Sequence, residues 1–98
     1  MAAGHVGILT CELHFPGSHS LKEKRHYLRS AKQRLQNMGC AVAEVDHHDV
    51  WQRSRLTLAV VAREYREAER LLAEAERYLG GQEWELALVE KQVVDPDD

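Results

Sequence analysis

Nine residues in two short stretches carry the side chains with which this chain could do chemistry. His14, Ser18 and His19 stand around a Pro16-Gly17 turn, and Asp46, His47, His48, Asp49, Trp51 and Arg53 follow some thirty residues later. Imidazole and carboxylate together suit zinc or a related ion, or a polar ligand gripped by both. Metal sites announce themselves by tight, regular ligand spacing, however, and His47 and His48 are adjacent, so on an extended chain they would point to opposite faces. The plain reading is a pair of solvated, hydrogen-bonded turns. Serine beside histidine raises nucleophilic catalysis, but neither Ser18 nor Ser20 has a nucleophile-elbow context, and no glycine-rich phosphate loop is present. The sequence therefore calls for no catalytic residue, no metal and no cofactor. It leaves a candidate ligand cluster of His14, Ser18, His19, Asp46, His47, Asp49, Trp51 and Arg53.

A second chemical feature lies between these stretches. Ser18 to Gly39 holds six Lys or Arg against one acid, Glu23, a charge of +5, whereas the rest of the chain carries −8. Lys22, Arg25, Arg29 and Lys32 recur at three-and-four spacing and on a helix form one ridge, flanked by Lys24 and Arg34. Such a ridge is either a solvated face that keeps the protein soluble or a contact for RNA phosphates or an acidic protein surface. Lys22, Lys24, Arg25, Arg29 and Lys32 are the residues expected to make that contact. The later helix mixes its signs, with pairs such as Arg63/Glu67 and Glu74/Arg77, as a merely solvated face would.

Both features need elements to hold them. His5 to Phe15 alternates, with Gly7, Leu9, Cys11, Leu13 and Phe15 on one side, which predicts a strand with one buried face. Ser20-x-x-Glu23 fits a capping box, Leu21, Leu28, Ala31, Leu35 and Met38 follow at helical spacing, and Gly39 is placed to end the helix. Strands are expected over 40–46, from the end of the 46–50 turn to Ala62, and over 83–90, with a helix from Arg63 to Leu79 ended by Gly80-Gly81. Strand, helix, strand, strand, helix, strand is the ferredoxin-like βαββαβ order of an α+β domain: a four-stranded antiparallel sheet with two helices on one face. In that topology the first two strands run the same way, so the two histidine-bearing turns and the Gly80-Gly81 turn meet at one end of the sheet.

The open sheet face would carry Val6, Ile8, Thr10, Glu12, Thr57, Ala59 and Val61. It has no aromatic on which bases could stack in the manner of RNA-recognition motifs. Glu12, Glu44 and Asp46 would pair there with Arg53 and Arg55 across strands. Val6, Ile8, Val42, Ala59 and Val61 would leave an apolar patch, which predicts a homodimer, or a partner, on that face.

Ninety-eight residues make one domain, here residues 1–91, followed by an acidic tail, 92–98, expected to be disordered. Cys11 and Cys40 have no paired spacing and sit in strand-like surroundings, so they read as core thiols. No apolar run approaches the roughly 20 residues a membrane-spanning helix needs, and the first residues lack a signal peptide's basic and apolar regions. The expected compartment is the cytoplasm.

Two runs, Pro16-Gly17-Ser18-His19-Ser20-Leu21-Lys22-Glu23-Lys24-Arg25 and Ala43-Glu44-Val45-Asp46-His47 with Asp49 and Trp51-Gln52-Arg53, resemble the YlxP-like family of small bacterial cytosolic proteins of unassigned biochemical role. The likeness extends from about Val6 to Leu88 and implies the same fold. It carries over no catalytic or binding residues. Members of that family are often encoded beside translation initiation factor 2 and ribosome-binding factor A, which implies work near ribosome assembly or translation. The leading expectation is thus a non-enzymatic cytosolic binding protein whose basic helix contacts ribosomal RNA or a ribosome-associated protein. The alternative is an oligomeric ligand- or metal-sensing module built on the His/Asp/Trp turns.

Overall fold

The computed structural model describes residues 3–96 and has the expected element order: β1 (His5–His14), α1 (Leu21–Asn37), β2 (Ala41–Asp46), β3 (Arg53–Ala62), α2 (Tyr65–Gly80) and β4 (Glu85–Val94). The strands lie in the order β2-β3-β1-β4, every neighbouring pair antiparallel, and both helices pack on one face. This is the ferredoxin-like arrangement. Among the described residues no helix is long and apolar enough to cross a membrane.

Strict alternation fixes the central pair. Leu9, Cys11 and Leu13 of β1 and Leu56, Leu58 and Val60 of β3 point at the helices and are buried. They meet Leu28, Ala31 and Leu35 of α1 and Ala68, Leu72, Ala75 and Leu79 of α2. Each fully buried Leu contributes about 1.5–3 kcal/mol. At Gly7 the sheet and α2 approach so closely that a Cβ would lie 2.9 Å from Val60 Cγ2 and 3.0 Å from Leu72, so any larger residue would force those side chains to shift. The Ser20 hydroxyl accepts the Glu23 N–H at 3.1 Å, and the Glu23 carboxylate accepts the His19 N–H at 2.9 Å, which completes the cap of α1. Gly39 takes the left-handed conformation (φ 91°) that ends this helix. The Trp84 indole closes α2 by donating to the Leu79 carbonyl at 2.9 Å.

Two expectations are corrected. The fold does not stop at residue 91: β4 continues to Val94, with Gln92, Val93 and Val94 opposite Ile8, Gly7 and Val6, and Asp95 lies 3.8 Å from His5. Most of β4 is exposed because it is an edge strand, so backbone pairing rather than burial holds it, and its polar run Glu90-Lys91-Gln92 offers no period to follow. Of the expected tail, Asp97 and Asp98 lie outside the described residues.

The second correction concerns the faces of β2. Val42 and Glu44 stand opposite Leu58 and Leu56 on the helix side, while Ala41 and Ala43 stand opposite Ala59 and Thr57 on the open face. A bulge at Val45 then returns Asp46 to the open face opposite Arg55. The open face therefore loses Val42 and Glu44 and gains Ala41 and Ala43. Four of the first five residues of β2 are small or apolar, Ala-Val-Ala-Glu-Val, so its pattern could not set the phase, and a one-residue slip exchanges the faces.

Candidate functional site

The two turns meet at one end of the sheet as the topology requires, and a buried lysine joins them. Lys24 is 1% exposed. Its ammonium donates to the carbonyls of His47 (2.7 Å), Arg53 (3.1 Å) and His48 (3.4 Å) and sits 3.2 Å from a Glu44 carboxylate oxygen. Ser54 donates to that same oxygen at 2.6 Å. Burying an ammonium costs several kcal/mol unless it is paired and hydrogen-bonded, and here every donor has an acceptor.

Lys24 is thus no part of the exposed ridge, contrary to expectation. Residues 24, 28, 31 and 35 form the buried stripe of α1, and Lys24 takes its leading place. The signal was in the sequence, because four residues before Leu28 is a core position.

Gln52 adds a second link. Its carbonyl accepts the Phe15 N–H at 2.8 Å, and its side-chain amide donates to the carbonyls of Ser18 (3.0 Å) and Pro16 (3.4 Å). Ser18 is fully buried and donates to Ser20 O at 3.1 Å, so it leaves the candidate ligand cluster for a structural role. The pair of motif runs therefore acts as one clasp: the first supplies a buried ammonium and carbonyls, the second supplies carbonyls, a carboxylate and an amide.

The remaining titratable groups divide into separate contacts. His47 takes a left-handed backbone (φ 65°), its N–H bonded to Asp46 Oδ1 at 2.7 Å. Its ring Nε2 lies 3.2 Å from Glu12 Oε1, which also accepts from Arg55 Nε at 3.0 Å. Burial pushes the Glu12 carboxyl up, but the hydrogen bonds and charges of His47 and Arg55 outweigh it and hold it below the usual range. Asp46 is lowered as well, chiefly by the His47 N–H. The other Glu12 oxygen is buried without a hydrogen-bond partner among the described residues. His14 pairs instead with Glu85 at 3.2 Å. His19, His48, Asp49 and Arg53 are exposed, and the pinned loop presents Val50 (40% exposed) and Trp51 (54%) to solvent. Among the described residues, no three His, Cys, Asp or Glu side chains converge closely enough to hold a metal ion. Cys11 and Cys40 are buried free thiols, and burial pushes Cys11 up to about 11.

On the outer side of α1, Lys22, Arg25 and Arg29 are exposed and Lys32 is half-buried. None of the four forms an ion pair with a described residue. On the acidic side of the molecule Arg70 pairs with Glu74 at 2.7 Å and Lys91 with Glu76 at 3.0 Å.

The model of a family described as "Protein of unknown function (DUF503)" matches residues 6–93. "Uncharacterized protein YlxP" of Bacillus subtilis (strain 168) is 32% identical over 90 residues, covering 81% of this chain and 98% of that protein. Among solved structures, a C-terminal segment of the alpha subunit of aIF2 from Pyrococcus abyssi is similar with a TM-score of 0.53 and 17% identity. That similarity covers 91% of this chain and 52% of that one, so this chain spans about half of the segment, and the likeness is one of fold.

Proposed function

The chain belongs to the DUF503 family of proteins of unknown function, and from that premise we propose that it is a non-enzymatic binding protein that grips RNA phosphates with the ridge Lys22, Arg25, Arg29 and Lys32. One observation carries the reading: four cations stand along roughly 15 Å of one helix face with no carboxylate among the described residues paired to them, in a protein whose net charge is −3. The resemblance to proteins encoded beside translation factors makes ribosomal RNA the natural target and the cytoplasm the natural place. The engagement of His14 with Glu85 and of His47 with Glu12 favours the ridge over the turn cluster as the working surface.

The test is RNA binding as a function of salt. Four phosphate contacts give a log–log slope of about −2.8 to −3.6, a loss of about 50- to 150-fold in affinity between 50 and 200 mM salt. Lys22→Glu with Lys32→Glu should flatten the slope by at least ~1.4 and release the protein from ribosomal fractions of a sucrose gradient. Unchanged binding in that double variant refutes the proposal. The open face, where Val61 is 73% exposed beside Val6, Ile8, Ala59 and Val94, supports pairing of two copies through this surface. A monomer mass by sedimentation at tens of micromolar, or a dimer insensitive to Val61→Lys, would remove that part.

A further inference from the structure

Beside the ridge, α1 and the end of α2 line a shallow cleft of about 670 Å3 that is widely open to solvent. His26, Arg29 and Arg34 line it together with Gln33, Asn37 and Tyr78, and no Asp or Glu among the described residues contributes to its wall. We propose that this cleft is a nucleotide-binding site that accepts one unpaired nucleotide of the RNA strand lying along the ridge. The inference rests on the RNA reading above and adds the class of RNA, single-stranded, and the place where a base is held.

Each part of a nucleotide has a counterpart. Arg29 belongs to both ridge and cleft, so a phosphate held there leaves the attached base at the cleft's mouth. The Arg34 guanidinium lies over the Tyr78 ring, 5.6 Å from its centroid, so a cation and an aromatic ring are available together to a base. The Tyr78 ring is braced in turn by the edge of Trp84, 6.3 Å between centroids at 80°. Gln33 donates to Asn37 Oδ1 at 3.0 Å, a bond that fixes both amides while leaving an acceptor on Gln33 and a donor on Asn37, the complement of a base edge. A duplex keeps its bases stacked inside and offers only phosphates, so it can use the ridge but not the cleft.

The proposal is tested by fluorescence polarisation of the full chain with a labelled single-stranded RNA hexamer, a blunt RNA duplex of the same length, and unlabelled AMP and UMP as competitors. Tyr78→Leu keeps an apolar side chain against Trp84 and should lower affinity for the hexamer about 5- to 150-fold, the loss expected from one stacked base. Asn37→Leu, an exposed change that leaves the charge unaltered, should lower it about fivefold. Both should leave duplex binding within twofold of the parent. Hexamer affinity unchanged in Asn37→Leu and in a folded Tyr78→Leu overturns the cleft while leaving the ridge intact. Saturation by AMP or UMP with no gain for the hexamer overturns the RNA assignment and gives the cleft to a free nucleotide. Lys22→Glu with Lys32→Glu, neither of which lines the cleft, should weaken hexamer and duplex alike. If only that variant has no effect, it is the ridge that falls.

Discussion

Replacing Lys24 by methionine keeps the apolar stem in its place between α1 and the sheet but deletes the ammonium. Four acceptors then lose their donor at once: three loop carbonyls at 2.7–3.4 Å and the Glu44 carboxylate at 3.2 Å, whose side chain is 12% exposed. Removing one partner of a buried pair strands the other charge and costs about 3–5 kcal/mol. Against a total of roughly 5–15 kcal/mol for a domain of this kind, that is about a fifth of the stability or more. At roughly 4–8 °C per kcal/mol, Tm should fall by about 12 °C at least. Urea unfolding followed by circular dichroism measures the loss. Adding Glu44→Leu to Lys24→Met removes the stranded carboxylate and should recover much of it. A loss below about 1 kcal/mol in Lys24→Met, or no recovery in the double variant, would show that the clasp does not depend on this ammonium. Folded Lys24→Met should also bind RNA with the parent's salt slope, because Lys24 is buried and offers no phosphate contact.

The remaining predictions concern titration. The Glu12 carboxyl is lower in the folded chain than its usual 4.5, so its contribution is fully present above about pH 4.5 and is lost as pH falls through the lowered folded value. Glu12→Gln should cost about 1–2 kcal/mol at pH 7 and make the urea midpoint less steep between pH 5 and 3; an unaltered acid profile would remove the Glu12–His47–Arg55 cluster as its cause. The Cys11 thiol moves the other way, from 9.0 to about 11, so its contribution is whole below about pH 9 and disappears as pH rises through about 11. Ellman's reagent at pH 8 should leave native Cys11 untouched over an hour and titrate both thiols in urea; rapid native labelling of Cys11 would contradict its burial.

Local pattern reached far into this fold. The alternation of β1 and β3, the Ser20/Glu23 cap, the Gly39 stop and the apolar stripes of both helices each depend on neighbours a few residues away, and their order was enough to imply the ferredoxin-like topology. The ridge was legible for the same reason, since Lys22, Arg25, Arg29 and Lys32 owe their common face to helical geometry alone. The extent of β4 was not, because an edge strand is held by backbone pairing that its side chains do not reveal.

What only the tertiary structure decided lies where distant segments meet. The phase of β2 hangs on a bulge at Val45 and on the partner Glu44 finds in Lys24, twenty residues away. The role of Lys24 depends on carbonyls from a loop 23 to 29 residues downstream, so its charge reads as surface until that loop is folded over it. The cleft belongs to two helices about forty residues apart, and its lack of acids shows only when they are packed together. Sequence determined which elements form and which faces they bury. The packing decided which charges remain exposed, because burial and pairing are set by the whole set of neighbours.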